Sequence, residues 1–273
     1  MEKQQRAIVI NDLSGLGKCS LTVSISILSA LSIQTCSIPT AILSNQTQFK
    51  KYSFYDFTEH MQEYINVWLD NDEQFDAIYS GFLGSDKQIE IIYDLMKNQK
   101  NALVIIDPVM GDNKELYDTY TISMCKKMIE LISIADIVTP NITEACILAD
   151  ISMDSKEFNK EEIKEIARKI ASKGPKYVII TGIINKNEIS NVIYEKENDF
   201  ISYNTFPYYL KSYSGTGDIF SSMLTGLILK GNNVYESVEI TSKFLNKAID
   251  YTSQFDTDPN YGIMYERFLK DVL

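Results

Sequence analysis

The residues best equipped for chemistry are Ser214-Gly215-Thr216-Gly217-Asp218, a two-glycine turn that runs straight into an apolar, helix-periodic stretch from Ile219 to Leu229. Glycines let such a turn take positive φ and come close to a ligand, and the free N–H groups of the first helical turn carry the positive end of the helix dipole. Together they would make an anion hole. Asp218 stands at its mouth with no basic residue within six positions. A carboxylate base beside an anion hole is suited to moving a phosphoryl group onto a hydroxyl. The same five residues also describe a plain glycine turn with a first-turn acid that stabilises its helix, so the choice rests on the rest of the chain.

Composition limits what such a site can belong to. The chain has 273 residues, 45% of them hydrophobic, enough for a sizeable core and with no apolar run long enough to span a membrane. His60 is the only histidine, and Cys19, Cys36, Cys125 and Cys146 lie far apart with no Cys-x-x-Cys pair. That removes zinc clusters and every histidine-dependent triad. A net charge of −11 argues against nucleic acid and anionic membranes as partners. It leaves room for phosphate, which one helix terminus and a metal ion hold locally. The charged start, Met1 to Arg6, leads into a strand pattern and resembles neither a signal nor a transit peptide, so a cytoplasmic location is expected.

To position the site, the chain alternates strand and helix patterns. Strands are expected at Ala7–Ile10, Thr35–Leu43, Phe75–Tyr79, Ala102–Ile106, Asp136–Val138 and Tyr177–Ile180, with helices at Cys19–Leu31, Phe54–Leu69, Lys87–Met96, Thr121–Ile132, after Asn141, and at Glu161–Ser172. Ile189–Tyr194 and Phe200–Thr205 alternate around a polar turn and read as an antiparallel hairpin. Continuous apolar strands between helices imply a parallel sheet covered on both faces, with ligands at the carboxyl ends of its strands. Asp12, Ser44 to Thr47, Gly81, Asp107 to Asp112, Thr139 to Glu144, Thr181 and the central turn all fall at that edge. No repeat, low-complexity segment or linker interrupts the pattern, so residues 1–273 read as one domain.

Gly15-Leu16-Gly17-Lys18 also follows a strand and opens a helix, which invites two nucleotide motifs. A P-loop would need glycine in place of Asp12 and serine or threonine in place of Cys19. A dinucleotide fingerprint would need its third glycine at Ser20 and an acid between Thr35 and Leu43, where none occurs. A close-packed strand-to-helix turn is the better reading.

Asp107-Pro108-Val109-Met110-Gly111-Asp112, then Ala135-Asp136-Ile137-Val138-Thr139-Pro140-Asn141 with Glu144, then Gly215-Thr216-Gly217-Asp218, in that order, resemble the ribokinase superfamily. Within it the resemblance is to the pyridoxal and pyridoxamine kinases. Ser44-Asn45-Gln46-Thr47-Gln48 and Ser80-Gly81-Phe82-Leu83-Gly84-Ser85 are similar to their vitamin-pocket segments, and the match runs from about residue 7 to about residue 230. The resemblance implies a ribokinase-like three-layer α/β fold, with a mostly parallel central sheet, helices on both faces and no β-lid. It also implies a homodimer.

The activity so implied is ATP-dependent phosphorylation of the 5'-hydroxymethyl group of pyridoxal, pyridoxamine or pyridoxine. Asp218 would be the general base, help typically worth ~10²–10⁴-fold in rate. The N–H groups of Gly215, Thr216 and Gly217 would meet the transferred phosphoryl oxygens. Asp107, Asp112 and Glu144 are hard oxygen ligands suited to Mg²⁺ or its water shell, Asp107 and Glu144 being the metal ligands expected. Thr139, Asn141 and Thr181 would complete the ATP site, and Thr139 with Glu144 would help hold a monovalent cation such as K⁺. Taken singly, Asp107-Pro108 reads better as a strand-ending turn, and Asn141 and Glu144 as a capping residue and first-turn acid; it is as a set at one sheet edge that they point to function. Ser44, Asn45, Thr47 and Phe82 would contact the vitamer. Many pyridoxal kinases have a serine where this chain has Asp12, with Ser14 two residues on; either residue would face the substrate, or Asp12 would cap the helix or pair with Lys18. From the C-terminal helices, Phe244, Leu245 and Tyr251 could flank the adenine by position, although core packing explains each of them. Two other functions remain: a hydroxymethylpyrimidine or hydroxymethylpyrimidine phosphate kinase sharing the same phosphate machinery, and a non-catalytic vitamin- or nucleotide-binding protein. Retention of Asp218 speaks against the last.

Overall fold

In the computed structural model, which describes residues 4–153, 158–209 and 211–272, the apolar runs assemble into one nine-stranded sheet. They do so because their side chains are buried on both sides. In β1 (Arg6–Ser14), Ala7 and Val9 join the core on one face while Ile8 and Ile10 join the core on the other, all four fully buried. A strand buried on both faces shows no polar alternation. The same division separates Ile78 from Tyr79 in β4 (Ala77–Ser80) and Ile106 from Ile105 in β5 (Leu103–Ile106).

The remaining strands are β2 (Gln34–Leu43), β3 (Phe54–Asp56), β6 (Gly111–Asp112), β7 (Glu115–Leu116), β8 (Ile137–Val138), β9 (Tyr177–Asn185), β10 (Glu188–Glu195) and β11 (Phe200–Pro207). The sheet runs β11-β10-β9-β8-β5-β4-β1-β2-β3. From β2 to β9 all pairings are parallel. Only its margins are antiparallel, with β3 on β2 and the β10–β11 hairpin on β9. Helices α2 (Thr58–Asp70), α3 (Asp86–Asn98), α4 (Ile122–Leu131), α5 (Ile142–Ala149) and α6 (Lys160–Ser172) bury apolar residues in one core. Helices α1 (Ser20–Ala30), α7 (Thr216–Leu229) and α8 (Val234–Ser253) do so in the other. This is the expected three-layer α/β arrangement. Among the described residues, no helix is long and apolar enough to cross a membrane.

One local expectation is corrected. The helix expected from Phe54 begins instead at Thr58, because Phe54, Tyr55 and Asp56 pair with Leu43, Ile42 and Ala41 as the edge strand β3. Asp56 then accepts the Thr58 N–H at 2.7 Å and so starts α2. After Asp107, Gly111–Asp112 and Glu115–Leu116 form a small separate hairpin, to which no strand is assigned from sequence.

Candidate active site

The parallel strands end together, so the polar residues in the last part of β1, those just after β4, β5 and β8, and those after the apolar part of β9 share one edge, and α7 begins there. Its turn depends on one glycine. Gly215 precedes α7 with φ of +79°, and a β-carbon on it would lie 1.8 Å from the Lys18 carbonyl oxygen. The turn is therefore docked against the backbone leading into α1. Gly217 has no positive φ, and a β-carbon there would meet only Asp107 Oδ2, at 3.5 Å. It keeps the helix terminus open beside a carboxylate, so the left-handed backbone expected of the glycines applies to Gly215 alone.

Asp218, in the first turn of α7, is held at both oxygens. Asn11 Nδ2 donates to Oδ1 and the Ser20 N–H to Oδ2, each at 2.8 Å. Burial pushes its pKa up to about 6 against the pull of these donors. The Asn11 amide is itself fixed, since its oxygen accepts the N–H groups of Asp12 at 3.0 Å and Phe82 at 3.1 Å. Gly81 makes room for it: a β-carbon there would stand 2.4 Å from Asn11 Nδ2.

Asp107, at the end of β5, is buried under the same helix terminus, and burial, then the Asp218 charge, hold its carboxyl well above the usual range. Ser221, one turn beyond Asp218, points its hydroxyl at Asp107 at 3.5 Å and shares a 3.0 Å hydrogen bond with Thr139. Tyr79 is fully buried, its hydroxyl close to Ser221 and Asp218 without a well-formed hydrogen bond among the described residues, and after burial its phenol is raised most by Asp218 and Asp107.

Asn141 and Glu144 form a complete capping box on α5. Glu144 accepts the Asn141 N–H at 2.8 Å and the Met110 N–H at 3.1 Å, while Asn141 Nδ2 donates to the Gly111 carbonyl at 2.8 Å. The helix-start reading of these residues is thus realised, and it also fastens the Asp107–Gly111 loop to α5. Glu144 is buried, and burial followed by the Asp107 charge raises its pKa. Asp112 is exposed on the β6–β7 hairpin, where its carboxylate accepts the Asn113 N–H at 2.7 Å and closes its own turn.

Thr181 hydrogen-bonds Pro140 through its N–H and lines a cleft with Gly182 on one side, Thr216 and Gly217 on another, and Leu245, Asn246 and Ile249 of α8 across from them. The cleft thus opens on the proposed anion hole. Of the α8 residues named from sequence, Leu245 lines it; Phe244 is buried in the core, and Tyr251 packs edge-on against Phe255 and Phe268.

On the opposite side of Asp218, the loop after β2 is closed on itself. Ser44 donates to Asn45 and accepts the Ser53 N–H, and Asn45 donates to the Lys51 carbonyl. Thr47 is exposed and Phe82 half-buried. Asp12 and Ser14 are buried and bonded to each other: Asp12 accepts the Ser14 hydroxyl at 2.7 Å and the Ser20 hydroxyl at 2.6 Å. Lys18 pairs with Glu266 at 2.9 Å, so the alternative of an Asp12–Lys18 pair falls away.

Among the described residues, no three His, Cys, Asp or Glu side chains form a ready metal cage. Two buried carboxylates with raised pKa, Asp107 and Glu144, fit a hard cation that arrives with phosphate and keeps part of its water shell. Sequence reasoning missed Asn11, Ser20, Tyr79 and Ser221. A signal existed for two of them: Asn11 is a polar residue directly after the wholly apolar Ala7–Ile10, and Ser221 is one helical turn from Asp218 in an apolar helix.

A family model described as phosphomethylpyrimidine kinase matches residues 23–262. The chain belongs to that family. It is 27% identical over 209 residues to the hydroxymethylpyrimidine/phosphomethylpyrimidine kinase of Staphylococcus aureus (strain MSSA476), covering 72% of this chain and 73% of the relative. It is also 27% identical over 234 residues to the pyridoxal kinase PdxY of Histophilus somni (strain 2336), covering 81% and 80%. A Bacteroides thetaiotaomicron protein, provisionally assigned as a phosphomethylpyrimidine kinase and solved with pyridoxal, superimposes with a TM-score of 0.94 at 38% identity, covering 99% of this chain and 96% of that one. The ribokinase-like fold and the resemblance to pyridoxal kinases both hold. The family's reaction class follows: a phosphotransferase with an alcohol group as acceptor.

Proposed function

We propose that the protein transfers the γ-phosphoryl group of ATP to the 5'-hydroxymethyl group of a B6 vitamer. The observation that carries this reading is Asp218, held at both oxygens in the first turn of α7 with a pKa of about 6. A base is most useful when its pKa lies near the working pH. For the acceptor, support comes from the Bacteroides relative solved with pyridoxal and from the PdxY relative. The family model and the Staphylococcus relative favour a second acceptor, hydroxymethylpyrimidine or its phosphate. A binder without chemistry would gain nothing from a base so braced.

In this mechanism the nucleotide occupies the cleft between Thr181, Gly182 and α8, its terminal phosphate at the N–H groups of Gly215, Thr216 and Gly217. The vitamer lies toward Ser44, Asn45, Thr47 and Phe82, its hydroxymethyl group at Asp218. Asp218 takes the hydroxyl proton as the oxygen attacks phosphorus, and the backbone N–H groups meet the charge on the equatorial oxygens. A Mg²⁺ ion bound with ATP would be held by Asp107 and Glu144, directly or through water, and would neutralise phosphate charge. Thr139 and Asn141 add neutral oxygens nearby. A monovalent cation beside Thr139 and Glu144, and assembly as a homodimer, complete the proposal.

The test is ADP release measured with pyridoxal, pyridoxamine, pyridoxine and hydroxymethylpyrimidine. At least one B6 vitamer is expected to give a kcat/KM about tenfold or more above that of the pyrimidine, equivalent to about 1.4 kcal/mol of transition-state preference. The reverse order would transfer the assignment to the pyrimidine.

Glu144→Gln separates two roles. Its new amide NH₂ must face the N–H of Asn141 or Met110, leaving a buried donor unpaired at about 1–3 kcal/mol. The expected result is a melting temperature lowered by several degrees together with a higher Mg²⁺ concentration for half-maximal activity. Lower stability with an unchanged Mg²⁺ requirement would leave Glu144 as a capping residue only.

A further inference from the structure

Helix α1 begins without a cap of its own. Cys19 precedes it and offers no side-chain bond, and no acid lies in its first turn. The first helical residue, Ser20, also has a left-handed backbone, with φ of +54°. That is an unfavourable conformation for any residue with a β-carbon, so something must hold it. What holds it is visible: the Ser20 hydroxyl is bonded to Asp12 at 2.6 Å, with both residues buried. In this conformation the Ser20 N–H reaches Asp218 Oδ2. Asp12 is anchored in turn by the Ser14 hydroxyl and, through its own N–H, by the Asn11 oxygen. Asn11 then returns to Asp218 Oδ1. The bonds close a ring from Asp218 through Ser20, Asp12 and Asn11 back to Asp218.

We propose that Asp12 is a positioning residue that grips the Ser20 hydroxyl and thereby holds the Ser20 N–H on the base Asp218. This goes beyond the kinase reading and rests on it for Asp218's role. It gives Asp12 a task that needs no contact with substrate. Asn11 fixes one carboxylate oxygen and the gripped Ser20 the other, so the carboxylate is oriented before any ligand arrives, which is where a positioned base gains its advantage.

Glycine distinguishes the grip from a merely structural hydrogen bond, because it takes a left-handed backbone without restraint. Ser20→Ala loses the hydroxyl and keeps the β-carbon; Ser20→Gly loses both. The measurements are kcat and KM for ATP and vitamer, and hydrogen exchange of the residue-20 amide by NMR. Ser20→Ala and Asp12→Leu are each expected to lower kcat about tenfold with both KM values within about twofold, and to expose the amide to exchange. The double variant should be no slower than the worse single one, since both remove the same bond. Ser20→Gly should retain most of kcat and of the amide protection. A glycine variant as slow as the alanine variant, a raised vitamer KM as the main effect of Asp12→Leu, or unchanged amide protection in Ser20→Ala would each overturn the proposal. If Asp12→Leu does not fold, the two Ser20 variants decide alone. Should the wild type phosphorylate none of the alcohols, the kinase reading falls, while amide exchange still decides whether Asp12 holds Ser20.

Discussion

Asp218→Asn is expected to lower kcat by about 10²-fold or more while ATP and vitamer still bind with nearly unchanged KM. Asparagine keeps the size of the side chain but cannot take a full proton from the attacking hydroxyl. Its NH₂ group must also face one of two fixed donors, the Asn11 amide or the Ser20 N–H. Turnover within a few-fold of the wild type would show that Asp218 is not the base. The wild-type pH profile provides an independent check. With a pKa of about 6, the base is lost as pH falls, so kcat should decline below about pH 6. Stability runs the other way. A carboxyl whose folded pKa is raised from 3.8 to about 6 binds more protons folded than unfolded between those values. Its contribution to stability is full below pH 3.8 and is lost as pH rises through about 6. If Asp218 is the base, activity should rise over the same pH range in which that residue's ionisation costs the protein stability.

Gly215→Ala is expected to be nearly as damaging, for a reason unrelated to proton transfer. The left-handed backbone alone costs a residue with a β-carbon about 1–2 kcal/mol. The contact is worse: at 1.8 Å from the Lys18 oxygen the methyl group collides with backbone, so the whole turn must move away from α1. Such a shift carries the Thr216 and Gly217 N–H groups and Asp218 with it, and a displacement of about 1 Å can cost about 10²-fold in rate. The expected result is a kcat reduced about 10²-fold and a melting temperature lowered by several degrees. Thr216→Ala is the control, since its hydroxyl donates to the Tyr213 carbonyl, at 3.2 Å, and its N–H is retained. Equal losses from Gly215→Ala and Thr216→Ala would show that backbone placement is not what the turn supplies.

The parallel character of the sheet, the edge where its polar residues gather and the glycine turn that opens α7 were all legible in the chain. Each is written in local signals. Four-residue apolar runs such as Ala7–Ile10 need burial on both faces, Pro108 and Pro140 fall just after strands, and Gly215 and Asp218 mark a turn before a helix. The ordered series of motifs also carried the family. What the tertiary structure alone decided is how those groups are held. Asp218 is bonded to Asn11 and Ser20 across 207 and 198 residues of sequence, and no local pattern reports such a pair. Asp12 read as a group facing the substrate because a carboxylate at a ligand edge has an obvious use; in the fold two serine hydroxyls occupy it. Asp112 read as an oxygen ligand from its type alone; that a two-residue turn of the β6–β7 hairpin exposes it is set by the fold. Residue type and spacing determine which chemistry is available to this protein. How Asp12 and Asp218 are held depends on donors brought from distant strands and helices, and those meet only when the cores on the two faces of the sheet have packed.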